Sequence, residues 1–577
     1  MPVIQDRPRA HLLAAILAAL FFLLSVLPNV GFAGTGSVAL LVKSKVALTP
    51  DVIASITNQS THVSYVWPEI RSMAVTASQS QVSSLAANPQ VELVESDLEG
   101  SVMRDLPKVL RGKQSTQPVT APYSTSTTPI VTWNQDMANT QGSVQEGTGV
   151  TVAVVDAGLP QNWAEFLPAS AVDLTYAAGF CAEGWADFHG GINGIHGVGG
   201  HLALFPHGVA VSSVIVGFPS EFGPVAGASP GVHIIPIRVT NQFNFGYFSW
   251  FAAGIMYVAN LKASGAIPGP LVINFSIEAH GNSQVLKDAI DYAISQGVIF
   301  VGVAGNFNPT DIISFPGRLP EVITAGACGW TREWFPPDPW FFGDVPENDP
   351  SQVYVAPFSG REPASVPAGS LIDVLAPGSY VFGEWLFGPG FSEGREVAFD
   401  AVDNFIFGTS FAAPHVVGIV ARMLEKNPGL TQPQVEAILR STALPIPPSS
   451  TFYVPWDERA TGAGLVQGTE AVAATAAPLV LAGGGGSSAG VAPSVRVLTR
   501  TGSIPAEFRL EGARDRPHTV TIFDVQGRLV RRWVSSTSAK IAWDGSRSDG
   551  SSAASGVYFV HAEGEGLRAS AKLVVAR

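Results

Sequence analysis

The chain reads as an α/β protein: a parallel sheet with helices on both faces, preceded by a small α+β unit and followed by an all-β sandwich. Three observations predict this. Between about residues 150 and 472, runs rich in Val, Ile and Ala alternate with helical patterns, as expected of strands buried on both faces of a parallel sheet. Upstream, residues 37–98 carry a self-contained set of strand and helix patterns. Downstream, Gly483-Gly484-Gly485-Gly486-Ser487-Ser488 is linker-like, and short strands separated by turn signals follow it. A chain of 577 residues is also too long for one core.

Residues 1–33 have the form of a secretory signal peptide. Arg7 and Arg9 precede an apolar run from Leu12 to Leu27, and Gly31-Phe32-Ala33 offers a small-x-small cut after Ala33. The run is short for a membrane span, which needs about 20 residues. An uncleaved anchor is the alternative.

Residues 34–110 form the next unit. Val38–Val42 reads as a strand, and Thr49–Ile56 as a helix with Pro50 in its first turn. Val63–Trp67 and Met73–Ala77 read as paired strands, Ser80–Ala87 as a second helix and Val91–Glu95 as a last strand. The βαββαβ order is ferredoxin-like. The Ser/Thr-rich stretch Lys113–Thr128 reads as an exposed region open to trimming.

The third unit, 111–474, carries the chemistry. Val150–Val155 is a buried strand ending in Asp156, with Ala157-Gly158 behind it. Such carboxyl ends of strands are where sites form in open α/β sheets. Pro206-His207-Gly208 opens an apolar helix. Ile234–Val239 is a strand, Ser249–Leu261 a helix, Val272–Phe275 a strand and Ser283–Ser295 a helix. Val298–Val303 is a strand ending in Ala304-Gly305-Asn306. Gly408-Thr409-Ser410-Phe411-Ala412-Ala413-Pro414-His415 puts a serine at the start of a buried helix, with Pro414 expected in its first turn. A serine there can act as a nucleophile, because free N–H groups and the positive dipole end favour an oxyanion. Taken singly, Ser410 also fits a helix cap, Asp156 a turn, His207 a cap and Asn306 a left-handed turn. Together they supply a hydroxyl, a base, a carboxylate to orient the base, and a carboxamide donor.

Three loops are long. Phe180–Pro206 is Gly-rich and carries Asp187, His189, His196 and His201, which reads as a metal site or as a mobile Gly/His loop. Trp330–Pro357 reads as a substrate-facing wall or a self-packed surface loop, and Tyr380–Phe405 is an insertion before Ser410. Cys181 and Cys328 are either a disulfide or two buried thiols. Residues 475–493 are the linker. Residues 494–577 read as an Ig-like sandwich, with strands such as Thr519–Phe523, Lys540–Trp543, Gly556–Val560 and Ala571–Val575.

A net charge of −13, with only 33 Lys plus Arg, argues against a nucleic-acid partner, since phosphate contacts need a basic face.

These motifs resemble those of the subtilisin-like serine proteases, the subtilases, from about Val150 to Val472. The family's order is Asp, His, Ser, met by Asp156, His207 and Ser410, with Asn306 between the last two. Gly408–His415 closely matches the family's serine motif. Val225-Ala226-Gly227-Ala228-Ser229-Pro230, Val272-Ile273-Asn274-Phe275-Ser276 and Ala376-Pro377-Gly378 also match. Ala157 stands where Thr is usual, and Val209 and Ala210 where Thr and His are common; neither change removes a reacting group. The resemblance implies a subtilisin-like parallel sheet and a secreted, self-processed zymogen that hydrolyses protein or peptide substrates. It implies that residues 34–110 are a chaperone and inhibitor propeptide whose tail occupies the substrate groove. It implies a substrate pocket between Ser276-Ile277-Glu278 and Ala304-Gly305-Asn306. Subtilases usually have Gly near the position of Glu278, so this carboxylate either favours Lys or Arg in the pocket or points to water. No cofactor is required for the chemistry, and structural calcium is not legible in the sequence. The C-terminal segments Phe523–Val530, Trp543-Asp544-Gly545 and Ser555-Gly556-Val557-Tyr558 resemble Ig-like domains of the flagellar hook-capping type and type IX sorting domains. That implies export, surface attachment or substrate binding, or a passive module. The rival to the protease is an inactive adhesion or scaffold protein on the same fold.

Overall fold

The computed structural model describes residues 37–101, 128–181 and 207–476, apart from short internal stretches (58–61, 161–162, 221–222, 242–243, 307–311, 334–344, 346–348, 387–394, 398–405 and 453), and, within 494–575, the strands of the C-terminal domain and some of the turns between them. The leader, most of the trimming stretch, the linker core, and Asp187, His189, His196 and His201 lie outside the described residues.

The first body ends at Asp97. Its strands are β1 (Ser37–Ser44), β2 (His62–Trp67), β3 (Ser72–Ser78) and β4 (Val91–Ser96), with helices α1 (Pro50–Thr57) and α2 (Val82–Ala87) between them. They form an antiparallel sheet in the order β2-β3-β1-β4. Alternate positions such as Leu40, Val42, Met73 and Val75 turn to one face and bury against Val52, Ile56 and Leu85 of the helices.

The second body begins with the short strand β5 (Glu99–Ser101) and helix α3 (Trp133–Met137). Its main sheet contains β6 (Thr151–Asp156), β7 (Ala178–Gly179), β10 (His233–Arg238), β12 (Leu271–Asn274), β13 (Val298–Val303), β14 (Ile323–Trp330), β15 (Val353–Val355) and β16 (Val374–Pro377). The order is β15-β14-β13-β12-β6-β10-β7, with β16 also paired to β14. All pairs are parallel except β14 with β15. The central strands β12 and β13 are buried at every position, which is why they read as unbroken apolar runs rather than alternating ones. Small hairpins β8–β9 (Phe218–Ser220, Gly223–Val225) and β17–β18 (Glu384–Leu386, Arg395–Val397) flank the sheet, and β11 (Phe245–Tyr247) pairs with β5.

The connecting helices are α4 (His207–Val216), α5 (Phe248–Ala263), α6 (Gln284–Ser295), α7 (Thr409–Lys426), α8 (Gln432–Thr442) and α9 (Gly468–Ala474). Ser283 caps α6, its hydroxyl accepting from Leu286 N–H. Helix α7 is buried from Thr409 to Leu424 and packs among α4, β13, β14 and β16, so its first turn is held from several sides.

Where it is described, the Trp330–Pro357 segment begins in β14 and ends just past β15. Trp330 stacks on Trp133 at 6.4 Å, and β15 closes the edge of the main sheet. Cys181 and Cys328 are both buried and free, so they are thiols, not a disulfide. The C-terminal domain has two antiparallel sheets, β19-β20-β23 (Ser494–Val497, Ala506–Glu511, Lys540–Trp543) and β22-β21-β24-β25 (Leu529–Ser536, His518–Asp524, Gly556–Gly564, Leu567–Val575). Trp543, Tyr558, Val520 and Val560 lie in its core.

Candidate active site

Asp156 is the last residue of β6, and His207 is the first of α4; both are fully buried. A Cβ on Gly208 would lie 2.2 Å from the carbonyl oxygen of Gly158. Helix α4 therefore seats on the turn after β6 only because residue 208 has no side chain. The seating brings His207 Nδ1 to 2.8 and 2.9 Å from the two Asp156 carboxylate oxygens. Ala157 N–H donates to Oδ1 of the same carboxylate at 2.6 Å. An ionised carboxylate only accepts, so the shared proton belongs to Nδ1 and the lone pair to Nε2. Nε2 is buried and has no hydrogen-bond partner among the described residues.

Ser410 is the second residue of α7, after the N-cap Gly408, which makes no side-chain capping bond. Ser410 is therefore not the helix cap. The Gly408 N–H donates to Gly378 O at 2.8 Å, tying the serine motif to Ala376-Pro377-Gly378. Ser410 Oγ donates to Ser276 O at 3.4 Å, and Phe411 packs 5.5 Å from the His207 ring. The start of α7 thus lies beside the imidazole, and no hydrogen bond joins Ser410 to His207 Nε2.

Pro414 lies inside α7, in the second turn rather than the first. Proline has no N–H, so the carbonyl of Ser410, four residues earlier, loses its helical donor. The Ser276 hydroxyl takes that place, donating to Ser410 O at 2.9 Å, and itself accepts from Asn274 Nδ2 at 3.0 Å. The end of β12 is thereby bonded to Ser410.

Asn306 follows β13. Its Oδ1 accepts from the Thr409 N–H at 2.9 Å and from the Thr409 hydroxyl at 3.1 Å. Those two bonds orient the carboxamide, so that Nδ2 is the end available to donate beside Ser410. Thr409 does this positioning; the sequence placed it in the serine motif but gave it no role.

Residues 147–472, more than half of the chain, match the subtilase family. The chain belongs to the subtilase family. Residues 494–566 match the FlgD Ig-like domain. Subtilisin from Bacillus pumilus is 27% identical over 310 residues, covering 53% of this chain and 87% of that protein. Subtilisin amylosacchariticus from Bacillus subtilis subsp. amylosacchariticus is 26% identical over 310 residues, and the chain covers 63% of its length. Fervidolysin from Fervidobacterium pennivorans is 29% identical over 335 residues, 56% of this chain and 40% of fervidolysin. The crystal structure of fervidolysin, described as a keratinolytic enzyme related to subtilisin, superposes with a TM-score of 0.55 at 20% identity, covering 92% of this chain and 72% of that one. That likeness shows the fold.

In this subtilase the two segments expected to flank the pocket behave differently. Ile277 and Ala304 are buried, and Ala304 uses both backbone groups internally, its N–H to Ala325 O and its C=O from Ser314 N–H. Gly305 O accepts from Gly360 N–H at 2.8 Å. Glu278 is only 2% exposed, so it does not point to water. Its Oε2 accepts from the backbone N–H of Asn306 at 2.6 Å, which draws the carboxylate across the slot between the two segments.

Two other buried ionisable groups surround the site. His415 donates from Nδ1 to Phe411 O at 2.7 Å and accepts at Nε2 from Asn134 Nδ2 at 3.0 Å. Burial pushes its pKa down to about 4, so it is neutral and structural. Glu333 is held by Tyr354 Oη, by Trp330 N–H at 3.0 Å and by Ser379 Oγ at 3.4 Å. Burial outweighs those bonds and pushes its carboxyl up to about 8. No group of three or more His, Cys, Asp or Glu stands together to hold a metal among the described residues. No described helix is long and apolar enough to cross a membrane.

Proposed function

We propose that this subtilase is a secreted serine endopeptidase made as a self-processed precursor. The observation that carries the reading is the His207–Asp156 pair, whose imidazole ring packs 5.5 Å from that of Phe411, the residue after Ser410. In this reading Ser410 Oγ attacks the peptide carbonyl and passes its proton to His207 Nε2. Asp156 holds the tautomer and balances the imidazolium. The tetrahedral oxyanion is met by Asn306 Nδ2 and the Ser410 N–H, which sits in the first turn of α7 where the helix dipole is positive. The imidazolium protonates the leaving amine. Water then hydrolyses the acyl-enzyme by the same proton path in reverse. None of these steps calls on a cofactor.

The pocket for the residue before the scissile bond lies between Ser276–Glu278 and Ala304–Asn306. A carboxylate drawn across that slot favours Lys or Arg, whose charge it would pair. Residues 1–33 serve as the signal peptide, 34–110 as the inhibitory propeptide, and 494–577 as a module for export, surface retention or engagement of large substrates.

Labelling with a fluorophosphonate tests the central claim. The wild-type protein should take up label at Ser410, and Ser410→Ala should not. A folded, processed protein that remains unlabelled would support the inactive scaffold instead.

A further inference from the structure

Glu333, Tyr354 and Ser379 form a buried chain of oxygens that the hydrolytic steps above do not use. Tyr354 Oη bonds to Glu333 Oε1 and lies 2.6 Å from Ser379 Oγ, which itself stands 3.4 Å from Glu333 Oε1. The other carboxyl oxygen, Oε2, accepts from Trp330 N–H at 3.0 Å. All three residues are more than nine-tenths buried. The chain ends against the segment that carries Ser410. Ser379 follows Gly378, whose carbonyl takes the Gly408 N–H at 2.8 Å, and Val381 N–H donates to Ile406 O at 2.8 Å. The approach is close: a Cβ on Gly378 would come 2.8 Å from Gly408 O and 3.3 Å from Ala412 Cβ. Between these two anchors Tyr380 has φ +50°, a left-handed backbone that a bulky side chain rarely adopts. A segment pinned at both ends and strained in the middle has little slack, so a shift of Ser379 passes to Gly378.

Each hydroxyl in the chain has one proton to give, and the carboxyl has one only when it is protonated. With the acid protonated, Oε1–H donates to Tyr354 Oη, and Tyr354 Oη–H donates to Ser379 Oγ. When the acid gives its proton to solvent, Oε1 becomes an acceptor only. Tyr354 Oη–H then turns to Oε1, and Ser379 Oγ–H turns to Tyr354 Oη or to Oε1. The direction of the chain reverses, and a charged acceptor draws hydroxyls closer than a neutral one. We propose that Glu333 is a positioning residue for Ser410: the charge on its carboxyl, passed through Tyr354 and Ser379 to Gly378, sets how the Gly408–Ser410 turn is held. The proposal rests on the serine hydrolase reading above.

Glu333 is also the group in this cluster that changes charge in the working range of a hydrolase. Burial raises its carboxyl to about 8. The other titratable groups facing it, among the described residues, are Cys328 on β14, Tyr354 on β15 and Tyr380 after β16. Burial first, and the Glu333 charge second, pushes all three upward, so they stay neutral while Glu333 ionises. Charged groups on the neighbouring elements are engaged elsewhere. The Arg332 guanidinium lies 5.5 Å over the Trp330 ring, Asp136 of α3 accepts from Val345 N–H, and Asp457 pairs with Arg459 at 3.3 Å. The Ser410 turn is therefore held in one way below about pH 8 and in another above it, and the alkaline form is the less productive. Its charged carboxylate pulls Ser379, and through Gly378 the turn, away from the place set by the neutral chain.

The test measures kcat and KM on a small chromogenic peptide at about pH 7.5 and about pH 9.5, using protein produced from the full chain. Fluorophosphonate labelling of a parallel sample counts the competent sites at each pH, so loss of folded protein does not enter kcat. The wild type should lose at least about threefold in kcat per labelled site between the two pH values, with KM changing less than about twofold, as expected of a misplaced reacting group. Glu333→Gln, whose amide donates to Tyr354 and accepts from Trp330 as the protonated acid does, should abolish that fall. Ser379→Ala keeps the carboxyl but breaks its path, so it should abolish the fall while its melting temperature still drops over the same range. A flat wild-type profile overturns the proposal and leaves Glu333 with a structural role only. So does the same fall in Glu333→Gln, and a fall that persists in Ser379→Ala overturns the path. Should Glu333→Gln misfold, the wild type and Ser379→Ala still decide. An active, labelled enzyme with a flat profile defeats only this inference, whereas a folded protein with neither label nor hydrolysis defeats the hydrolase reading and this inference with it.

Discussion

Ser276→Ala is the sharpest probe of how the nucleophile is held. The Ser410 carbonyl has no helical donor, because residue 414 is proline, and receives its bond from the Ser276 hydroxyl at 2.9 Å. Removing that hydroxyl leaves a buried carbonyl unsatisfied and strips Asn274 Nδ2 of its acceptor. Each such loss costs about 1–3 kcal/mol, which is a drop of a few degrees in Tm for a domain of this size. The pair should be coupled. Pro414→Ala restores an N–H that can reach Ser410 O, so the double variant Ser276→Ala/Pro414→Ala should recover part of the loss, with an interaction energy of about 0.5–3 kcal/mol. Thermal melts in a Ser410→Ala background, which prevents self-digestion, measure the cycle. Peptide hydrolysis with Ser410 intact reads the effect on the nucleophile, and kcat should fall more than KM rises. Strict additivity of the two substitutions would refute the argument that one group stands in for the other.

Three further outcomes follow from the same geometry. Asn306→Ala should lower kcat by roughly 10²–10³ with little change in KM, a magnitude carried over from subtilisin itself; steady-state kinetics decide it, and an unchanged kcat removes Asn306 from the oxyanion site. Glu278→Gln should weaken any preference for Lys or Arg before the scissile bond by about 1–3 kcal/mol in a peptide-library profile, and identical profiles would take the carboxylate out of the pocket. Glu333 is raised by burial to about 8 from an ordinary value of 4.5, so the fold favours its protonated form. The stability it contributes is complete below pH 4.5 and lost as pH rises to about 8, so Glu333→Gln should match the wild type near pH 4 and exceed it by a few kcal/mol near pH 8. Melts of both proteins across that range test this, and parallel curves would contradict it.

Much of the site was legible in sequence. Asp156, His207, Asn306 and Ser410 each stand at the end of a strand or the start of a helix, and such ends are marked locally by apolar runs and by Gly. The strands β6, β10, β12 and β13 were legible for the same reason, to within a residue or so at their ends. Pro414 was misplaced by one turn, because the helix begins at Thr409 and continues through a proline whose missing bond is covered from another strand. Strand β15 at the end of the Trp330–Pro357 segment is only three residues long, too short for its alternation to stand out from the surrounding aromatic and proline residues. The thiols of Cys181 and Cys328 are spaced without any sign of whether they meet.

The sequence by itself determined the candidate site residues, their order and the parallel sheet that presents them, since periodicity, turn residues and short motifs are properties of neighbouring residues. Only the tertiary structure decided that Glu278 turns inward to the Asn306 N–H, that Ser276 replaces the donor Pro414 lacks, and that Ser101 lies in register with Glu278. Each of those is a bond between segments that are distant along the chain. Such bonds are set by how β5, β11, β12, β13 and α7 pack together, and no local pattern of side chains encodes that packing.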